Sequence, residues 1–227
     1  MRELKAVIFD MDGVLIDSEP IHVEIEKKLF DRLGIVVSET VHRSFMGASN
    51  EFMYSDIKSR FDLKESVAEL MEIDESFRYD YFNHLEIIPL NEGVISLLHE
   101  IKTDGIKLAV ATSSSPAIAN ILLKRCGIVS YFDAIVTTVE AGKSKPAPDV
   151  YLLAAQKIGV SPEDCIVFED SPNGLSAAKS AGMFCVVIQS DPEIIKELSG
   201  ADYLIQSFTK MTLTRLTDLF SINQIVD

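Results

Sequence analysis

Residues Ala6–Pro20 read "AVIFDMDGVLIDSEP". Four apolar residues run into Asp10 and Asp12, one residue apart, followed by Gly13 and then Asp17. A run that is apolar at every position suits a strand buried on both faces, as in a parallel sheet. Asp and Gly are common where such a strand turns. Two carboxylates at the end of a rigid strand also suit chemistry, because residues i and i+2 of an extended segment point the same way. Gly13 lets the chain turn sharply after them.

The run extends back to Leu4, and runs of the same kind recur at Lys107–Thr112, Ala134–Thr137, Cys165–Phe168, Phe184–Ile188 and Tyr203–Ile205. Helical patterns lie between. Val94, Leu97, Leu98 and Ile101 fall at i, i+3, i+4 and i+7, and Ile118, Leu122 and Cys126 keep an i+4 step. Alternation of this kind predicts an α/β fold, a doubly wound, Rossmann-like parallel sheet.

One interval breaks the rhythm. About ninety residues separate the first run from the second, whereas later runs follow at the spacing of βαβ units. The insert reads as helical. Ser18 is placed as an N-cap before Pro20, and Ile21, Ile25, Leu29 and Leu33 recur at i+4 until Gly34 stops the helix. Further helices are expected over 51–61 and 64–83. The predicted organisation is an α/β core of residues 1–16 and 88–227 and a helical cap of residues 17–87, emerging beside the carboxyl end of the first strand.

The chain has 227 residues, 47% of them hydrophobic and 25% charged, ordinary for a globular protein. No stretch approaches a membrane span, and no signal peptide is expected. Its formal charge of −14 disfavours nucleic acid and anionic membranes as partners. The three cysteines, Cys126, Cys165 and Cys185, form no CxxC pair and read as small buried hydrophobes of a reducing cytoplasm. The four histidines show no metal-binding spacing. A monomer is expected, with a dimer as the alternative.

Ligands bind at the carboxyl ends of strands in open α/β sheets. There the sequence supplies Asp10 and Asp12, then "TSSSP" at 112–116, then "GKSKPAPD" with Lys143 and Lys145, then Glu169, Asp170 and Ser171. Acids gathered in one site need a cation, since like charges raise each other's pKa. Oxygen-only ligands favour a hard ion, with Mg2+ the natural candidate. One of the paired aspartates can attack phosphorus while the other serves as general acid/base. Thr112 and nearby N–H groups can hold phosphoryl oxygens, and Lys145 supplies positive charge. Ser115 and Ser171, each before a proline, also read as helix caps, and Lys143 as solvated.

These four strings occur in the order of the motifs of the haloacid dehalogenase superfamily. The chain resembles its subgroup of β-phosphoglucomutases and small sugar-phosphate phosphatases with a helical cap, over essentially its whole length. By that resemblance Asp10 is the nucleophile and Asp12 the general acid/base. Asp10, the Asp12 carbonyl and Asp170 would bind Mg2+, with Glu169 assisting. Thr112, Ser113 and Lys145 would hold the phosphoryl group. The chain departs from the mutase pattern in the loop "FMGASNE", where Met46 and Asn50 stand in place of a lysine and an arginine that grip the second phosphate. The expected function is Mg2+-dependent hydrolysis of small phosphorylated metabolites, sugar phosphates foremost, through an aspartyl-phosphate. A β-phosphoglucomutase-type reaction is the alternative, and a phosphoacceptor or binding module a more distant one. Asp12 argues against a dehalogenase, which needs no second aspartate. Specificity is expected in cap residues such as His22, Met46 and Asn50.

Overall fold

The computed structural model describes residues 3–43, 45 and 50–222. Six parallel strands form one sheet in the order β3-β2-β1-β4-β5-β6. They are β1 (Ala6–Phe9), β2 (Lys107–Thr112), β3 (Ala134–Thr137), β4 (Cys165–Glu169), β5 (Phe184–Ile188) and β6 (Tyr203–Ile205). The doubly wound sheet read from the sequence is therefore present, and the three-residue Tyr203–Ile205 run forms one of its two edges, opposite β3. Among the described residues no helix is long and apolar enough to cross a membrane.

The chain divides into two compact units, 1–17 with 88–227, and 18–87. The second is all helical among its described residues: α1 (Glu19–Arg32), α2 (Glu39–Arg43), α3 (Asn50–Phe61) and α4 (Val67–His84). Ile21, Ile25 and Leu29 are buried, as their spacing requires, and Leu29 packs in the core of this unit with Phe30, Tyr54 and Leu70. Gly34, at φ +70°, follows the end of α1. The start of α1 differs from expectation. Ser18 has helical backbone angles and makes no side-chain capping bond. Its φ of −95° and ψ of −11° depart from the extended backbone that a capping residue adopts, and the side chain is fully buried. Helix α4, by contrast, begins with a full capping box between Ser66 and Glu69.

In the first unit the strand period of two sorts the sheet into two faces. Ala6, Ile8, Ala109, Ala111, Cys165 and Val167 pack on one side with Tyr151, Ala154, Leu175 and Ala178 from α8 (Asp149–Ile158) and α9 (Pro172–Ser180). On the other side Phe9 stacks on Phe168 at 5.0 Å between centroids, with Phe208 edge-on to Phe168 at 5.1 Å. Burying each such ring stabilises the fold by roughly 1.5–3 kcal/mol. The remaining helices are α5 (Val94–Thr103), α6 (Pro116–Arg125), α7 (Thr138–Ala141), α10 (Pro192–Ile195) and α11 (Leu213–Ile222). Val94, Leu97, Leu98 and Ile101 of α5 are all buried. Cys165 and Cys185 are buried and Cys126 partly so; burial pushes the Cys165 thiol up to about 12, which leaves it inert.

Within the first unit, the segment around Ile16 and the segment around Leu90 run side by side. Ile16 bridges Leu90 in antiparallel fashion. The Asn91 side-chain amide donates to the carbonyls of Gly13 and Val14, both at 2.8 Å. The loop that follows Asp12 is thereby fixed from the return segment.

Candidate active site

The register of the sheet builds the site. Phe9 of β1 is level with Val110 of β2 and Phe168 of β4. The next row therefore holds Asp10, Ala111 and Glu169, side by side on the three central strands. Asp10 and Glu169 continue the face whose earlier members are Ile8 and Val167, two residues back in each strand. Where the apolar stripe runs out, that face carries acids.

Lys145 closes the row. Its ammonium has three N–H donors, and each finds an acceptor: Asp10 Oδ1 at 2.5 Å, Glu169 Oε1 at 2.6 Å and the Ala111 carbonyl at 3.2 Å. The side chain is only 7% exposed. Burial alone would lower the Lys145 pKa, but Asp10 and Glu169 outweigh it and hold the ammonium above its ordinary value. Lys143 is exposed and lies 3.7 Å from Asp149, in keeping with a solvated lysine.

Glu169 is fully buried and saturated with donors. Oε1 accepts from Lys145 and from the Tyr151 hydroxyl, each at 2.6 Å. Oε2 accepts from the Asp170 N–H at 3.0 Å, the Ser171 N–H at 3.2 Å and the Ser171 hydroxyl at 3.1 Å. Although burial favours the neutral acid, Lys145 and these hydrogen bonds hold its pKa below the usual value. Ser171 also caps α9, accepting from the Gly174 N–H at 3.1 Å. Gly174 lies against the carboxylate: a Cβ there would fall 1.8 Å from its carbon. The "NG" of Asn173 and Gly174 is thus inside a helix, not a hairpin.

Asp12 lies beyond Asp10 and accepts from the Ser114 hydroxyl at 2.7 Å. Thr112 is buried at the end of β2, and its hydroxyl oxygen accepts the Ser114 N–H at 3.0 Å. Ser113 is exposed beside it, and Ser115 caps α6 by accepting from the Ile118 N–H. Asp170 packs against the turn at Gly13, where a Cβ would lie 2.1 Å from its Oδ2.

The charge balance is acidic. Burial, against the opposing pull of Lys145, pushes the Asp10 carboxyl up to about 7. Burial, reinforced by Glu169 and Asp10, pushes Asp170 well above the carboxylate range. One ammonium does not neutralise three acids, so the donor set favours a further cation. Among the described residues no three acidic, histidine or cysteine side chains form a ready metal cage. Mg2+ does not require one, since it is held by one or two carboxylates with water and a substrate phosphate. Asp10 and Asp170 with a backbone carbonyl fit that pattern.

Of the expected specificity residues, His22 lies on α1 within the second unit, its Nδ1 accepting from Arg78 Nη1 at 2.7 Å. Asn50 opens α3 and is exposed. Met46 lies outside the described residues. Sequence reasoning gave no role to Tyr151 or Asn91 and left Ser114 as one hydroxyl in a cluster. Ser114 stands two residues beyond Thr112, and that spacing was its available signal. Tyr151 reads as one more apolar member of the α8 face, and nothing near it in sequence marks its hydroxyl.

The chain is similar to known proteins in sequence and in fold. The chain is 36% identical to a phosphorylated carbohydrates phosphatase of Thermotoga maritima over 180 residues, 79% of this chain and 82% of that one. It is 34% identical to a β-phosphoglucomutase of Bacillus subtilis, covering 94% of both. The crystal structure of a β-phosphoglucomutase from Clostridium difficile superposes with a TM-score of 0.81 at 26% identity, covering 99% of this chain and 100% of that one. Residues 7–188, from β1 through β5, match the sequence pattern described as haloacid dehalogenase-like hydrolase, and the chain belongs to that family.

Proposed function

We propose that this protein is a phosphatase of small phosphorylated sugars that works through an aspartyl-phosphate on Asp10. The observation that carries the reading is the single row of Asp10, Ala111 and Glu169 joined by Lys145, with Asp12 two residues further on. Lys145 occupies Asp10 Oδ1, which leaves Oδ2 to attack phosphorus. In the first half-reaction the Oδ2–P bond forms and the P–O bond to the sugar breaks. Asp12, positioned by Ser114, gives its proton to the departing sugar oxygen. In the second, Asp12 takes a proton from water as the water oxygen bonds to phosphorus, and the Asp10–P bond breaks to release inorganic phosphate. The Thr112 hydroxyl and Ser113 hold the phosphoryl oxygens during both steps, and the Lys145 ammonium beside Asp10 offsets the negative charge of the phosphoryl group.

Asp10, Asp170 and the Asp12 carbonyl would hold Mg2+, with Glu169 assisting from behind by fixing Lys145. When bound, the ion supplies charge neutralisation on the transferring group. Hydrolysis is favoured over phosphomutase chemistry because the positions of the mutases' lysine and arginine are Met46 and Asn50. Neither brings a cation to grip a second phosphate.

Phosphate release from a panel of sugar phosphates, with Mg2+ or with EDTA, tests the reading. Turnover is expected with Mg2+, and EDTA should abolish it. Asp10→Asn should lower kcat by at least about 10³-fold, since the nucleophile has no substitute in the site. An Asp10→Asn protein with wild-type turnover would refute the assignment.

A further inference from the structure

The core-facing side of α8 is apolar at Val150, Ala154 and Ala155, and phenylalanine would fill the remaining position. That position is instead Tyr151, a side chain with no exposure. A buried hydroxyl is costly unless it is bonded, and this one donates to Glu169 Oε1 at 2.6 Å. The same oxygen accepts from Lys145. The Lys145 ammonium in turn lies 4.9 Å from the centroid of the Tyr151 ring, within cation–π range. One side chain therefore touches both members of the pair that presents positive charge to Asp10.

We propose that Tyr151 is a positioning residue for phosphoryl transfer, its hydroxyl sharing Glu169 Oε1 with Lys145 so that the carboxylate anchors the ammonium without drawing it out of the row. The inference rests on the assignment of Lys145 to the phosphoryl group made above. The acceptor capacity of Oε1 is divided between two donors. Without the hydroxyl, Oε1 keeps Lys145 alone, the pair tightens, and Nζ moves toward Glu169 and away from Asp10. The ring limits the other directions in which the lysine stem can swing. Tyr151 contacts neither substrate nor reacting atoms, so its effect passes through Lys145.

Tyr151→Phe keeps the ring and the volume and removes only the hydroxyl; Tyr151→Leu removes both. In Tyr151→Phe, kcat/KM for the best sugar phosphate should fall about tenfold, the lower end for a buried hydrogen bond to a charged acceptor. Inhibition by vanadate, which resembles the pentacoordinate transition state, should weaken by a similar factor. Tyr151→Leu should lose about a further threefold through the cation–π contact. Circular dichroism and melting curves establish that both variants are folded. Wild-type kcat/KM and wild-type vanadate inhibition in Tyr151→Phe, whatever its melting temperature, would overturn the proposal and leave Tyr151 a packing residue. Asp10→Asn measured alongside separates the two failures: if it stays active, the site reading itself is wrong, and if it is inactive while Tyr151→Phe is unchanged, only the role of Tyr151 falls.

Discussion

Asp10 carries a conflict between folding and chemistry. In the unfolded chain its carboxyl titrates near 3.8, and burial raises this to about 7 in the metal-free fold. Between those values the folded state binds a proton that the unfolded state does not, so stability falls as pH rises through that window. Asp170 is raised too and acts in the same direction. Glu169, whose pKa is lowered, opposes it only on further acidification, below its ordinary value of 4.5. Metal-free protein should therefore melt at higher temperature near pH 5 than near pH 7.5. Asp10→Asn, which keeps an oxygen for Lys145 but no charge, should flatten the trend and raise the melting temperature at pH 7.5 by about 2–4 °C for each kcal/mol relieved. Scanning fluorimetry in EDTA checks this, and parallel profiles for the two proteins would refute it. The residue proposed to attack phosphorus is one whose charge the fold alone disfavours.

Among the elements, the helices of the second unit are held by charge as well as by apolar packing. Arg78 on α4 donates from Nε to both oxygens of Asp74 at 2.8 Å and from Nη2 to Glu26 of α1 at 3.2 Å. Glu26 also meets His42 of α2 at 2.6 Å. The Arg78 and Asp74 side chains are 11% and 4% exposed. Arg78→Met would leave the Asp74 carboxylate buried without its partner, at a cost of about 3–5 kcal/mol. Adding Asp74→Leu should recover much of that loss. Hydrogen exchange over α1 and α4 would register both effects, and undiminished protection in Arg78→Met would show that the ion pair does not hold the helices together. Only the Asp74–Arg78 pair, at i and i+4 on α4, has a spacing that a sequence can show; Glu26 and His42 lie far from it in the chain, so the network as a whole was not legible. The strands were legible because each is a continuous apolar run. The acids proposed to carry the chemistry were legible because they sit where such runs end. Ser18 shows the limit of local reading: a serine before Glu-Pro resembles a cap, yet it is buried with helical backbone angles and makes no capping bond. Tyr151 shows another, since an aromatic on a helix face looks the same in sequence whether or not its hydroxyl has a partner.

For the whole molecule, Asp10, Asp12, Thr112, Lys145, Glu169 and Asp170 all come from the unit formed by residues 1–17 and 88–227. The proposed chemistry is thus built by one unit, and the proposed selection of substrate falls to the other. Asn50 in that second unit is uncharged and exposed, and a bisphosphate held for return transfer would need cations there. Phosphorus NMR with β-glucose 1-phosphate should show inorganic phosphate growing as the sugar phosphate declines. Accumulation of glucose 6-phosphate without net phosphate release would place the protein among the mutases instead. Gly174 carries a consequence for how such an enzyme can fail. Any side chain at that position displaces Glu169, and with it the lysine whose place Glu169 fixes. Activity can then be lost through a helix glycine that meets neither sugar nor phosphate, so the positions intolerant of change extend well past the residues that react.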